Sequence, residues 1–218
     1  MSTFDFTTAR NVMVEQQIRP WNVLDARVLE VLNEVPREEY VPAERRELAY
    51  ADLVLPLAHG EVVMKPVVQA RALQAMLVGP EEDVLEIGTG SGYMTDCLSR
   101  MGREVVSIER HADLAEAARE RLVRQGRTNV RIQHADAFGF DPGRQFDVVC
   151  VTGAVAEVPE SFMEWLKPAG RMFIIRGNAP AMEAILVRKT ANGPHIESLF
   201  ETEVPYLAGA EPVPAFQF

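Results

Sequence analysis

The stretch from Val84 to Tyr93, VLEIGTGSGY, limits the folds open to this chain more than any other. A short apolar run, Val84-Leu85-Glu86-Ile87, passes straight into glycines at 88, 90 and 92, and the residues from Tyr93 to Met101 carry a helical pattern. That is a strand, a glycine turn and a helix start, the unit from which parallel α/β sheets are built. Glycines in such a turn let backbone approach a ligand because no Cβ intervenes. The acidic Glu86 within the strand suits a cationic or amino-bearing ligand better than a pyrophosphate.

From residue 81 onward strands and helices alternate. The patterns predict strand 83–87, helix 91–101, strand 104–108, helix 112–125, strand 129–133, strand 146–151, helix 159–166 and strand 171–175. Two further strands, 183–189 and 195–203, have only the turn Asn192-Gly193 between them and should pair as a hairpin. Repeated βα units imply a parallel sheet with helices on both faces. The expected fold is therefore α/β and Rossmann-like, a mostly parallel seven-stranded sheet preceded by a helical N-terminal segment. Residues 1–80 form that segment. It holds a helix over 7–18, a second capped by Asp25 with Val28, Leu29, Leu32 and Val35 at helical spacing, a third near 43–50, a loose loop over 53–66 and a helix over 67–77 stopping at Gly79-Pro80. Residues 81–218 form the ligand-binding unit, and the two parts are expected to make one compact body.

Composition narrows the function classes. With a formal net charge of −10 the chain offers no basic face for nucleic acid, and the arginines between 119 and 127 are interleaved with glutamates as on a solvated helix. No apolar run is long enough to span a bilayer. The opening residues MSTFDFTTARNVM show neither a basic nor an apolar signal region. The expected setting is thus the cytoplasm, with Cys97 and Cys150 as free thiols and Cys150 packed in a strand. No metal site is expected.

Ligands of open α/β sheets bind at the C-terminal strand ends, and here three successive ends carry an acid. Glu86 precedes the glycine turn, Glu109 closes Val105-Val106-Ser107-Ile108, and Asp136 follows Gln133-His134-Ala135. A ligand with an amino group, ribose hydroxyls and an adenine amine presents donors to all three carboxylates. That outline is S-adenosyl-L-methionine, with Glu109 on the ribose, Asp136 on the exocyclic amine and the Ala137 N–H facing a ring nitrogen. A dinucleotide fits less well, because the glycines run G-x-G-x-G and Glu86 would repel a pyrophosphate.

Segments along nearly the whole chain resemble the protein-L-isoaspartate O-methyltransferase family. They are Met13-Val14-Glu15-Gln16-Gln17-Ile18-Arg19, Val35-Pro36-Arg37-Glu38 through Tyr40-Val41-Pro42, Ala49-Tyr50-Ala51-Asp52, Leu55-Pro56-Leu57, VLEIGTGSGY, Ser107-Ile108-Glu109-Arg110, Phe146-Asp147 and Leu166-Lys167-Pro168-Ala169-Gly170-Arg171. The resemblance implies a class I methyltransferase that uses S-adenosyl-L-methionine to methylate the free carboxylate of L-isoaspartyl residues in damaged proteins. The ester then cyclises to a succinimide that hydrolyses partly to aspartate. Its partners would be isoaspartate-bearing proteins or peptides, and the enzyme would act as a monomer or dimer. Taken together, motif and resemblance give a cofactor set of Val63, Met64, Glu86, Gly88, Thr89, Gly90, Gly92, Tyr93, Glu109, Arg110, Asp136, Ala137 and Thr152.

The chain departs from the family pattern on the substrate side. Where members carry Thr-Ile-Ser-Gln-Pro, with the serine in the active site, this chain reads Val62-Val63-Met64-Lys65-Pro66, followed by Val67-Val68. Ile175 stands where a later strand usually has proline. Met64 and Lys65 are the substrate-side candidates, Lys65 either as an attractor of a carboxylate or as a solvated loop lysine, and residues 53–66 stand where a lid over the cofactor would close. His59 in that loop reads as structural. Two alternatives stay open: a methyltransferase with another carboxylate or a small-molecule acceptor, and a cofactor-binding protein without catalysis. The tail from Glu211 to Phe218, with Pro212, Pro214, Phe216 and Phe218, is expected to pack on its own domain or on a neighbour.

Overall fold

A computed structural model of the chain describes residues 4–212, so the tail residues Pro214, Phe216 and Phe218 lie outside the described part. The N-terminal segment opens with α1 (Phe6–Val12), capped by the Asp5 carboxylate, which accepts from the Thr8 N–H. The predicted continuous helix over 7–18 changes pitch at Met13. Residues Met13–Ile18 form a wider π turn in which the Arg19 N–H reaches the Val14 carbonyl, burying Met13, Val14 and Ile18 together. Helix α2 (Ala26–Glu34) starts where expected, with Asp25 accepting from Arg27 and Val28 N–H. The expected helix over 43–50 is a 3₁₀ segment, Ala43–Leu48.

Residues 53–66 form a tight hairpin of β1 (Leu55–Pro56) and β2 (Val62–Val63), closed by a Leu57 N–H to Glu61 carbonyl bond of 2.7 Å. Helix α3 (Pro66–Met76) follows. It ends at Leu77, the last residue of the expected helix, in the left-handed conformation with φ 43. There the Arg171 guanidinium bonds the Met76 and Leu77 carbonyls and the Glu82 carboxylate, satisfying the helix end from the sheet.

The remaining elements are β3 (Asp83–Ile87), α4 (Tyr93–Met101), β4 (Glu104–Glu109), α5 (Ala112–Arg124), β5 (Val130–His134), β6 (Phe146–Val155), α6 (Glu160–Glu164), β7 (Leu166–Asn178), β8 (Ala181–Thr190) and β9 (Gly193–Thr202). Helix α6 is shorter than predicted, and β6 and β7 are longer. The seven-stranded sheet runs β5-β4-β3-β6-β7-β8-β9. Strands β3 to β7 pair in parallel, and β8 is antiparallel to both β7 and β9. The hairpin turns at Asn192-Gly193, with Thr190 opposite Gly193 and φ 107 at the glycine.

The chain leaves β3 toward β4 and β5 on one side, then returns to β6 on the other. The switch point lies between β3 and β6, which is where a ligand crevice is expected. Both faces of the central strands are buried. Val84, Val148, Cys150, Phe173 and Ile175 face the N-terminal helices, in a core continuous from Met13 to Val204. Leu85, Val149, Val151, Met172 and Ile174 face the other layer. This double burial explains why these strands read as unbroken apolar runs. No helix among the described residues is long and apolar enough to cross a membrane.

Candidate functional site

The glycine turn joins β3 to α4 at the switch point, and each glycine answers a different neighbour. At Gly88, φ is 90 and a Cβ would stand 2.4 Å from the Thr152 hydroxyl, which itself lies 2.9 and 2.7 Å from the Ile87 and Gly88 carbonyls. At Gly92, φ is 87 and a Cβ would meet the Ala118 side chain of α5 at 3.2 Å. Gly90 alone of the three has only the flexible tip of Leu57 nearby, and it lines the main cleft.

Glu109 staples this turn to the start of α5. Its carboxylate accepts from the Gly90 N–H at 2.8 Å and from the His111 N–H at 3.0 Å, and it is nearly buried. A carboxylate offers about four lone-pair positions, so positions remain for further donors from the cleft. Asp136 caps the turn Ala137–Gly139 by accepting from the Phe138 N–H at 2.9 Å through one oxygen, and its second has no partner among the described residues. Ile87, Gly88, Gly90, Glu109, Arg110, Asp136, Ala137 and Thr152 converge on one cleft. Ile108, Ala135 and Phe138 add apolar walls, and Phe138 is held by stacking on Phe162 at 5.7 Å. Acid at two strand ends, apolar slabs between them and open backbone at Gly90 fit a nucleoside-bearing ligand rich in donors.

A small hollow adjoins this cleft, lined by Val63, Met64, Thr89 and Ser91 together with Gly88, Gly90 and Thr152. Met64 is buried, and its carbonyl accepts from the Arg37 guanidinium at 2.6 Å. Arg37 is fully buried. It also donates to the Ala49 carbonyl at 2.7 Å and to the Gln69 amide oxygen, and it lies 4.6 Å from the Tyr93 ring centroid. Sequence reasoning missed this role, although Arg37 sits in the Val35-Pro36-Arg37-Glu38 segment. A charged residue inside an otherwise buried motif was the available signal.

Three of the expected cofactor residues, Glu86, Gly92 and Tyr93, line neither the cleft nor the hollow. Glu86 is fully buried and lines neither the cleft nor the hollow. Being mid-strand, between Leu85 and Ile87, its side chain must point into a covered face of the sheet rather than off the strand end. There one oxygen accepts from Thr95 at 2.5 Å and from Ser107 at 2.6 Å, and Ser107 is in turn 2.5 Å from the Thr89 hydroxyl. Its other oxygen has no partner among the described residues. Burial pushes this carboxyl up to about 7, the two hydroxyls pull it down, and Glu109 adds to the rise. Glu86 thus braces the turn from below. Tyr93 starts α4 with its ring turned into the core, 5.7 Å from Tyr40. Gly92 likewise serves packing against α5 rather than lining the cleft.

The β1–β2 hairpin overhangs the glycine turn, and Glu61 and Val62 line the main cleft. Its tip is tied to the first turn of α5. His59, at φ 61, stacks on His111 with centroids 4.1 Å apart and sets its Nε2 2.9 Å from the Asp113 carboxylate. The His111 Nε2 lies 3.5 Å from Glu61. His59 therefore anchors the hairpin, as its structural reading expected.

Lys65 is exposed and lies outside the hollow. It lines a second, wider cleft of about 1250 Å³ with Trp21, Asp52, Arg71, Phe200 and Glu203 among others. Val62, Pro205 and Tyr206 border both clefts, so they form the wall between them.

Residues 8–210 match the family described as Protein-L-isoaspartate(D-aspartate) O-methyltransferase (PCMT). The chain is 41% identical over 172 residues to Protein-L-isoaspartate O-methyltransferase 2 of Syntrophobacter fumaroxidans, covering 78% of this chain and 70% of the relative. It is 38% identical over 192 residues to the Protein-L-isoaspartate O-methyltransferase of Myxococcus xanthus, covering 86% and 91%. Among solved structures it resembles a Plasmodium falciparum protein described as a protein-L-isoaspartate O-methyltransferase, in complex with S-adenosyl-L-homocysteine. The TM-score is 0.79 at 20% identity, with 93% of this chain and 98% of the other covered, which speaks to the fold.

Proposed function

The chain belongs to the protein-L-isoaspartate(D-aspartate) O-methyltransferase family, and from that membership we infer that it is an S-adenosyl-L-methionine-dependent enzyme methylating L-isoaspartyl residues of damaged proteins. S-adenosyl-L-methionine, when bound, supplies an electrophilic methyl group. Glu109 receives the ribose hydroxyls on the lone pairs its two backbone bonds leave open. Asp136 receives the adenine amine on its free oxygen, the Ala137 N–H faces a ring nitrogen, and Ile108, Ala135 and Phe138 flank the base. The glycine turn, Val63 and Met64 surround the methionine end.

The observation that supports the reading is that a second cleft opens beside the first. Val62, Pro205 and Tyr206 form their shared rim, and an acceptor reaching past it would come up to a methyl donor in the first cleft. The acceptor carboxylate has an ordinary pKa near 4 and is already ionised at neutral pH, so no general base is needed. The task of the chain is to hold that oxygen in line and keep water out. Lys65 attracts the carboxylate. Met64 offers no hydrogen bond to an acceptor, and the Arg37 bond to its carbonyl holds the segment in place.

We place the enzyme in the cytoplasm as a monomer or dimer, without nucleic-acid partners. The two free, buried thiols and the net charge of −10 support this. Met64 in place of the family serine favours a second reading, in which the acceptor is a different carboxylate or a small molecule. Labelled S-adenosyl-L-methionine, offered with an isoaspartyl peptide beside its aspartyl twin, separates the two. Base-labile label on the isoaspartyl peptide alone is expected. Label on neither, with cofactor binding intact by calorimetry, would overturn the isoaspartyl reading.

A further inference from the structure

Glu86 is a buried acid without a cation. In the sheet it is flanked by Ser107 of β4 and Cys150 of β6, and Thr95 of α4 bonds it from the covering layer. No arginine, lysine or histidine among the described residues lies within ion-pair distance of it, whereas the comparably buried Asp96 holds Arg100 and Arg127, and Glu38 holds Arg10. The titratable groups that act on it from the neighbouring strands are Glu109, which opposes its charge, and Cys150, whose thiol burial and Glu86 together keep neutral. From α4 it meets the Thr95 hydroxyl. Nothing on these elements neutralises a carboxylate here, which is why its carboxyl stands at about 7.

The hydroxyls of Thr95, Ser107 and Thr89 connect this acid to the glycine turn. Thr95 and Ser107 reach the same oxygen, Oε2, at 2.5 and 2.6 Å, and Ser107 lies 2.5 Å from Thr89. A hydroxyl has a single hydrogen to donate. With Glu86 ionised, Thr95 and Ser107 direct theirs to Oε2, so the Thr89 hydrogen goes to Ser107 and Thr89 is left with lone pairs. With Glu86 protonated, the hydrogen belongs on Oε2, because Oε1 has no partner to receive it. Oε2 then donates to Ser107, Ser107 donates to Thr89, and the Thr89 hydrogen turns outward. Thr89 lines the hollow with Val63 and Met64. A ligand's ammonium group there donates and cannot accept, so it suits the first arrangement and opposes the second.

We propose that Glu86 is a positioning residue for the cofactor: acting through Ser107, it makes the Thr89 hydroxyl an acceptor for the ammonium group of the methionine end, and binding expels the Glu86 proton. The carboxyl O–H bond breaks, the proton passes to solvent, and the charge left behind is the counter-ion of the incoming cation. Affinity is therefore highest with Glu86 ionised and falls as pH drops through its titration. The inference rests on the cofactor reading given under Proposed function and adds a proton to it.

The test is calorimetric titration with two probes. S-adenosyl-L-homocysteine keeps the amino group and has no methyl to transfer. 5′-Methylthioadenosine keeps the nucleoside and thioether but has no amino-acid part. In the wild type, S-adenosyl-L-homocysteine is expected to bind about five- to tenfold more weakly at about pH 6 than at about pH 8, and to release about half a proton at about pH 7, read from buffers of different ionisation enthalpy. In Glu86→Gln the release should vanish and the affinity should be level over that range. Thr89→Val keeps the shape, removes the hydroxyl and should lose the same dependence with Glu86 in place. 5′-Methylthioadenosine should bind the wild type and both variants independently of pH. A merely structural Glu86 would release no proton on binding. Should Glu86→Gln fold poorly, Thr89→Val leaves the buried acid untouched and carries the comparison. No release in the wild type, release that survives either substitution, or the same pH dependence with 5′-methylthioadenosine overturns the inference alone. No binding of S-adenosyl-L-homocysteine at any pH overturns the cofactor reading and this inference with it.

Discussion

Glu86→Gln tests the assignment of Glu86 as a buried brace. In the folded chain burial holds its carboxyl at about 7, against an ordinary value of 4.5. The folded state therefore binds the proton more tightly than the unfolded state. For a carboxyl raised in this way, stability is greatest below 4.5, falls as pH rises from 4.5 to 7, and is level above that. Integrating the difference in bound protons, the wild type should lose about 2–3 kcal/mol from this one group between about pH 5 and pH 8. The amide of the variant would keep an oxygen acceptor for Thr95 and Ser107 and cannot ionise, so this loss should be absent. Urea denaturation of both proteins, without cofactor, at about pH 5 and pH 8 gives the comparison. The two should be nearly equal at the lower pH, with the variant more stable at the higher by about 2 kcal/mol or more. A stability difference that does not change with pH would refute the burial argument, and a wild type that gains on the variant as pH rises would reverse it.

Arg37→Met should cost about 3–5 kcal/mol in urea denaturation, because the carbonyls of Ala49 and Met64 and the Gln69 amide oxygen lose a buried charged donor; a loss below about 1 kcal/mol would show that the pin is dispensable. Glu109→Ala should weaken S-adenosyl-L-methionine binding at least about tenfold by calorimetry, and unchanged affinity would remove the ribose assignment. Gly92→Ala, at φ 87 and 3.2 Å from Ala118, should cost about 2 kcal/mol of stability. Gly90→Ala, with only Leu57 near, should cost less than that and act mainly on cofactor affinity. Equal stability losses at the two glycines would contradict their separate roles.

The sequence by itself determined the repeating βα order, the position of the ligand turn and the acids at strand ends. Each of these follows from local pattern. Double burial writes β3, β6 and β7 as apolar runs, a glycine turn is visible as spacing, and Asp25 or Asp136 caps a helix within its own few residues. The closing hairpin was legible for the same reason, in Asn192-Gly193. Tertiary structure decided what each acid faces. Glu86 and Glu109 look alike as strand acids, yet one points into a covered face and the other sits at the strand's last position, open to the cleft. It also supplied the partner of the last carbonyls of α3, since Arg171 comes from a strand 94 residues later. The pairing of Arg37 with Met64 belongs to this second kind. A buried charge takes its meaning from the acceptors that enclose it, and those are supplied by segments far apart in the chain that only folding brings together.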